Sequence, residues 1–394
     1  MQPFPRPRAE SPPLKALSSI AALLASVAFL IAGGSLANLL TPLRADVEGF
    51  GDLAIGALGS SYYLGMWAGT LLTPAIIRRS GHIRAFAAFV SLGIGAINLM
   101  PVWVAPAPWI AFRIVLGFVF AGLYAIIEAW INASATNSNR GAMYGTYQIV
   151  NFAASAGGQL LLSAFVLQSF APFAVSASLV ALGIAPLALT QAEAPPPPTS
   201  VRLRPIWLAK LAPVAVAAAF VAGAANGATA SLGGIYALRI GVAPQFVPVF
   251  TSAIVLGSAI GVLPVGLLSD RFDRRIVMVA MMAAGALVEF ALAAFAPAGL
   301  ALVGLGFAVG LTTYTLYTLS TSHANDRAKA QDMVLIAAGL LFVYCIGAIL
   351  APSIAAQLMR VFGPRALFVQ NGLLHAALAA FAAAGIFRVN PWRR

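Results

Sequence analysis

In the stretch RIVLGFVFAGLYAIIEAWIN, residues 113–132, Arg113 and Glu128 are the only charged side chains in an otherwise apolar run. On an ideal helix Arg113, Gly117, Ala121, Tyr124 and Glu128 fall at about 0°, 40°, 80°, 20° and 60°, so all five share one face. A run of this length crosses a bilayer as a helix, and charges within it turn away from lipid. The two are separated by about 22 Å of helix and cannot neutralise each other. With entry near Pro108 from outside, Arg113 lies about 7 Å deep and Glu128 about 30 Å deep, near the inner edge of the hydrocarbon. Glu128 then has two roles open to it: an inner-surface partner for Arg78, Arg79 or Arg140, or a proton carrier. Arg113 has few acids in reach, the nearest being the outer-loop residues Asp46, Glu48 and Asp52. Trp109 and Trp130 bracket the run as interfacial aromatics would.

Uncharged polar groups form further faces. Gln148, Asn151, Ser155 and Gln159 recur at i, i+3, i+7 and i+11, a single helical stripe that suits solute binding or ties between helices. Thr313 and Tyr317 continue a face with Gly306 and Gly310, as a cavity wall would, although threonine also bonds its own backbone. Asn38 and Asn226 stand near the outer ends of their runs, at the mouth of a cavity. Glu289 lies mid-run, where His375 or Gln370 is a candidate partner. His82 and His323 are expected at the inner surface, solvated. The GLGFAVG run has no strand before it and reads as helix packing, not a nucleotide loop. No nucleophile–base pair, metal cluster or ATP motif is present, so neither an enzyme nor a cofactor is expected. The single Cys345 excludes an intrachain disulfide.

The elements that carry these residues follow from composition. Of 394 residues, 61% are hydrophobic and 9% charged, where a soluble domain has about 25% charged. Apolar segments occupy 16–40, 53–77, 83–104, 108–132, 142–167, 170–190, 206–234, 247–269, 276–296, 299–322, 331–358 and 365–387. The chain is therefore an all-α polytopic membrane protein with twelve spans. The first run is longer than a signal-peptide core and reads as an uncleaved helix. A Pro-rich, basic stretch at 191–205 reads as a linker between two six-span halves, 16–190 and 206–387, with tails at 1–15 and 388–394. With the N-terminus inside, eighteen Lys and Arg fall in inner segments, and four (Arg44, Arg239, Arg360 and Arg365) fall in outer loops. That asymmetry predicts both termini in the cytoplasm. The net charge of +12 sits in these loops and implies no nucleic-acid partner.

The halves carry traces of duplication: GLYAIIEAWINASATNSNR from Gly122 corresponds to GLTTYTLYTLSTSHANDR from Gly310. The loop GLLSDRFDRR, 266–275, resembles the G-x-L-x-D-R-x-G-R-R/K signature of the major facilitator superfamily, with Asp273 replacing the second glycine. PAIIRRSGHIR in the first half keeps Arg79 and Gly81 but has Arg78 in the acid's place. Arg113-Ile-Val-Leu-Gly117 resembles the superfamily's R-x-x-x-G motif, and EAWIN…NRGAMYGTYQ resembles a bacterial YcaD-like group within it. The resemblance implies two pseudo-symmetric six-helix bundles rocking about a cavity lined by spans 1, 4, 7 and 10, with 3, 6, 9 and 12 outermost. It also implies proton coupling through Arg113, the alternative being helix-packing glue, and residence in a bacterial inner membrane. Arg78, Arg79, Asp270, Arg271, Arg274 and Arg275 form a cytoplasmic gate or, in the simpler reading, a basic anchor. The fifth span has NFAASAGGQ where drug/proton antiporters carry G-x-x-x-G-P-x-x-G-G, which lowers the expectation of multidrug exchange.

The expectation is a proton-coupled secondary transporter of a small organic solute, monomeric, with lipid as its only other partner. A non-transporting scaffold of the same fold is the alternative, and it predicts a dry centre.

Overall fold

Proline and glycine set where the helices begin and end. The structure, a computed structural model, describes residues 13–135, 140–188, 195, 203–329 and 332–388. The expected linker, with Arg202, lies largely outside these residues, as do the ends of both tails with Arg6, Arg8, Arg393 and Arg394. In chain order the helices are α1 Pro13–Val47, α2 Asp52–Ser80, α3 His82–Leu99, α4 Pro106–Ser134, α5 Arg140–Leu161, α6 Ala171–Leu182 and α7 Ile184–Ala188. There follow α8 Pro205–Leu211, α9 Pro213–Arg239, α10 Val247–Arg271, α11 Arg274–Phe295, α12 Gly299–Thr313, α13 Leu316–Asn325, α14 Met333–Phe362 and α15 Ala366–Arg388. Pro106, Pro205 and Pro213 each open a helix, where a missing N–H costs nothing. Gly81 and Gly363 stop α2 and α14 at φ +78° and +84°, conformations open to glycine.

These helices map onto the twelve expected spans. The sixth is α6 with α7, broken at Gly183, and the tenth is α12 with α13, broken at Tyr314–Thr315. The seventh differs: residues 205–211 form the separate short helix α8, because Pro213 cannot continue a helix through Ala212. The spanning helix is α9, displaced to Pro213–Arg239. Nine helical segments among the described residues are long and apolar enough to cross a membrane. α2 and α5 have the length, 29 and 22 residues, but are more polar, and both flank the cavity described below.

Glycine contacts reveal the duplication. A Cβ at Gly65 would overlap Ile114 O, and one at Gly117 would overlap Tyr62 O, so α2 and α4 meet backbone to backbone. In the second half Gly257 meets Phe307 O and Gly310 meets Ile254 O, which seats α10 on α12 in the same way. Gly65 to Gly257 is a displacement of 192 residues, and Gly117 to Gly310 one of 193. The structural counterpart of Gly310 is thus Gly117, and the sequence correspondence drawn from Gly122 is five residues out of register. A second crossing repeats likewise, with Gly158 against Ala32 O between α5 and α1, and Gly347 against Phe220 O between α14 and α9.

The bundles meet through α2 with α14 and α5 with α10, pairings that this same displacement interconverts. Polar contacts that cross between them among the described residues lie in the half away from the helix ends that carry the chain termini, here the far end. Ser60 Oγ is 2.7 Å from Ser353 Oγ, Ser252 donates to Ala156 O at 3.0 Å, and Ser163 donates to Gln245 O at 2.8 Å. Arg239, at the last turn of α9, bridges Asp46 at 2.7 Å and also Asp52, both on the other bundle. The outer-loop acids considered as neighbours of Arg113 are therefore committed elsewhere, and Glu48 pairs with Arg44.

At the near end Asp270, Arg274 and Arg275 of the expected gate bond within the second bundle. Arg274 bonds Asp270 and Asp326, each at 3.1 Å, and both acids belong to the second bundle. Asp273 accepts from the Arg275 backbone N–H at 2.8 Å and so caps α11, a role the signature's glycine cannot fill. Burial and the nearby Arg275 guanidinium hold Arg327 below the usual arginine range. Arg271 is exposed, as are Arg78 and Arg79, which end α2 on the opposite bundle.

Four aromatic or imidazole side chains differ from expectation. Trp109 is fully buried and donates its indole N–H to Met100 O at 2.8 Å, packing against Phe50 and Phe173. Trp130 is buried with its ring 5.8 Å from that of His82, which is itself buried. His323 is buried too. In each case neighbouring helix ends cover a ring expected at the membrane surface.

Candidate functional site

A cavity of about 320 Å³ lies between the bundles, a size in the lower range of small-molecule sites. Each of spans 1, 2, 4, 5, 7, 8, 10 and 11 contributes to its wall, twice the set that the superfamily resemblance implies, and 3, 6, 9 and 12 contribute nothing. The difference follows from the paired crossings, which carry α2 and α14 inward alongside α4 and α9.

Arg113 is the charged residue of the wall. It is 4% exposed, donates Nη1–H to Asn38 Oδ1 at 2.7 Å and Nε–H to Leu58 O at 3.1 Å, and stacks 4.4 Å from the centre of the Tyr62 ring. These bonds use two of five N–H groups, leaving three for water or a solute. Among the described residues no carboxylate lies within ion-pair distance of it. A buried guanidinium is costly unless bonded. Here one amide, one carbonyl and one aromatic face supply that compensation, and the positive charge stays uncancelled.

Around it stand Tyr63, Tyr124, Tyr314 and Tyr344, with the hydroxyls of Ser35, Ser155 and Thr229 and the amide of Gln159. Ser35 Oγ and Ser155 Oγ are 2.8 Å apart and join α1 to α5. The Tyr314 hydroxyl donates to Asn226 O at 3.4 Å. Gln159 Oε1 is buried without a protein partner, so an acceptor as well as donors is free here.

Of the residues singled out from sequence, Asn38, Arg113, Tyr124, Ser155 and Gln159 come together on this wall. Asn226 backs it through its carbonyl. Asn151 lies one turn toward the near end, its amide 3.4 Å from the Tyr147 hydroxyl, and Gln148 is exposed beyond it. Tyr317 packs edge-on to Tyr344, ring centres 5.2 Å apart, behind the wall. The Thr313 hydroxyl bonds Val309 O, and its methyl faces Gly285 of α11, away from the cavity. Glu128 is exposed at the near end, where its field reaches Tyr124, Tyr147 and Tyr317 from both bundles. It thus faces the space between the bundles. Sequence reasoning missed Tyr62, Tyr63, Tyr314, Tyr344 and Thr229. The Ser-Ser-Tyr-Tyr run at 60–63 was the available signal, because adjacent tyrosines in an apolar helix need a polar destination.

Two bundles related by an internal repeat, with tyrosine, serine and arginine side chains lining the cavity between them, fit the fold implied by the resemblance to the major facilitator superfamily. The model of that family, the Major Facilitator Superfamily, matches residues 215–394. Two solved structures share the fold over nearly the whole chain. A nucleoside transporter, NupG, has a TM-score of 0.77 at 14% identity, covering 95% of this chain and 100% of that one. A bacterial homologue of the human lysosomal transporter Spinster, inward-facing and unoccupied, has a TM-score of 0.75 at 13% identity, covering 95% and 97%. Within the superfamily the resemblance is to YcaD. The uncharacterised MFS-type transporter of that name from Escherichia coli O45:K1 (strain S88 / ExPEC) is 29% identical over 361 residues, 88% of this chain and 90% of that protein. Its counterpart in Escherichia coli O6:K15:H31 (strain 536 / UPEC) is 28% identical over 358 residues.

Proposed function

We propose that the protein is a secondary active transporter that moves a small organic solute by alternating access, in a bacterial inner membrane, as a monomer with both termini cytoplasmic. The observation that carries this reading is the cavity between the bundles, with one uncancelled buried guanidinium ringed by tyrosines. Arg113 suits a solute with a single anionic group, the tyrosine faces suit its apolar or aromatic body, and Gln159 offers an acceptor for its hydroxyl or amino group. With the basic end inside, the far-end bonds between bundles correspond to a closed outer side, and the near end opens to the cytoplasm.

Proton coupling runs through Arg113 and Glu128. Arg113 reorganises its bonds to Asn38 and Leu58 O when the solute arrives, and Glu128 exchanges its proton with water in the inner vestibule. Arg78, Arg79, Asp270, Arg271, Arg274 and Arg275 act as the gate in the opposite state, when the near ends meet.

The test is a melting-temperature screen of the purified protein against a broad panel of small organic acids and neutral solutes, at about pH 5.5 and about pH 8. A ligand at 100 times its dissociation constant stabilises by about 2.7 kcal/mol. Related hits that vanish in Arg113→Leu support the reading. Transport with unaltered pH dependence in both Arg113→Leu and Glu128→Gln defeats the coupling role. A scaffold would have a dry centre. Cysteines placed at Ser155 and Tyr124 that resist an impermeant thiol reagent from both sides would favour that alternative.

A further inference from the structure

Away from the cavity, the second bundle buries a pair of ionisable groups that the transport reading does not use. Glu289 of α11 and His375 of α15 are both 0% exposed, with His375 Nδ1 2.7 Å from Glu289 Oε2. The same nitrogen lies 3.1 Å from Asn371 O. Glu289 Oε1 and His375 Nε2 have no partner. The Asn371 amide, one turn before the histidine, donates to Thr229 Oγ1 at 2.9 Å and Ala225 O at 3.3 Å, both on α9. Thr229 is part of the cavity wall. A continuous set of bonded groups therefore joins cavity, α9, α15 and α11.

A pin between two outer helices needs none of this. Neutral or apolar side chains hold helices together at less cost than a desolvated carboxylate and imidazole. A pin also gains nothing from two orphaned atoms, each of which carries a desolvation penalty. The orphans have another use, because they are places for a proton. One proton shared between Oε2 and Nδ1 leaves the pair with one negative charge, a carboxylate beside a neutral imidazole, and a second, at Oε1 or Nε2, makes it neutral.

Among the described residues no other charged side chain bonds the pair. Arg365, before α15, reaches Ala294 O at the far end, and Arg274 and Arg275 open α11 at the near end. Tyr317 packs on Tyr344, and Cys345 is buried in α14. α12 carries no titratable residue. The α12–α13 junction contributes Tyr314, which feels Glu289 electrostatically. From α9 comes Tyr236, whose hydroxyl is committed to Leu292 O at 2.7 Å. α14 contributes Tyr344, on the cavity wall. The charged groups of α10, and His323 of α13, sit at the near end.

We propose that Glu289–His375 is a proton-binding site of the second bundle, linked through Asn371 to Thr229, and that its loading and release accompany the change between the two open states. The proton comes from water and returns to water; only N–H and O–H bonds form and break. The coupling half of this proposal rests on the transport reading. The link is reciprocal: what Thr229 senses in the cavity alters proton affinity at the pair, and protonation alters the hold of α15 on α9.

The chain has three histidines, so the intact protein labelled with ¹⁵N-histidine gives three imidazole spectra. His82→Gln and His323→Gln assign two by subtraction. In lipid nanodiscs, His375 is expected to change protonation state between about pH 5 and about pH 9, with a midpoint that moves in Glu289→Gln. A single protonation state throughout, in the unmutated protein, overturns the site. Spin labels at Val102→Cys and Phe362→Cys on a Cys345→Ala background then report far-end separation. It is expected to depend on pH in the parent and not in Glu289→Gln; the same dependence in both overturns the coupling. If solutes bind while His375 does not titrate, this proposal alone fails. If His375 titrates while no solute binds and the separation ignores pH, the site stands and its place in a transport cycle is refuted.

Discussion

Replacing Arg239 with glutamine should release the far end of the molecule. The guanidinium holds Asp46 and Asp52 of the opposite bundle at once, with side-chain exposures of 27%, 20% and 18% respectively. Such partly solvated pairs contribute about 0.2–1 kcal/mol each. Removing the cation also leaves two carboxylates facing each other, which adds repulsion. A total of about 1–2 kcal/mol corresponds to about a 5–30-fold shift toward the state open at the far end. The serine contacts and close helix crossings remain, so the change is in population, not in fold. Spin labels at Val102→Cys and Phe362→Cys, 61% and 73% exposed in the parent and clear of the interface, read it directly as a longer-distance component. Salt should move the parent the same way, because these charges are open to screening over about 8 Å at physiological ionic strength. A distance distribution that neither substitution nor salt alters would refute the clamp.

Gly117→Ala should lower the melting temperature, since its Cβ overlaps Tyr62 O, and overpacking of this kind costs about 1–3 kcal/mol. Gly310→Ala should cost a similar amount at the repeated site, while Gly95→Ala, which meets nothing within 4 Å, should be neutral or better. Arg113→Lys should fail to restore solute binding lost in Arg113→Leu, because lysine cannot reach Asn38 and Leu58 O while stacking on Tyr62; the melting screen checks this. Asp273→Ala should remove the cap of α11 and cost about 1 kcal/mol, read as a shift in thermal unfolding.

Spans were largely legible, because a bilayer leaves a helix little alternative and proline marks helix starts; the breaks at Gly183 and Tyr314–Thr315 carried no such mark and were not. The α8–α9 break was legible in principle: Pro213 stood within a span drawn across it. Arg113 was legible because charge in an apolar run is rare and must face inward. Glu289 was legible as an anomaly, and His375 proved to be its partner where Gln370 had been the other candidate. Which tyrosines reach the cavity was not legible, since that depends on how deeply α2 and α14 are drawn in at crossings seated on Gly117 and Gly347. The Arg239 clamp was hidden for a related reason. Its three members lie in two distant stretches of chain, and a loop charge reads equally well as a topology signal.

Where α2 meets the second bundle, the far-end interface is built from Gly56, Gly59 and Ser60 against Ser231, Pro352, Ser353 and Ala356. Surfaces of this kind hide few carbon atoms when they close, and they uncover few when they part. At about 25 cal/mol for each Å² of apolar area, a seam of leucines would resist separation far more strongly than one of glycine and serine. Water entering the opened seam finds hydroxyls and backbone carbonyls to solvate. The small residues that let α2 and α14 approach so closely therefore also lower the cost of parting them.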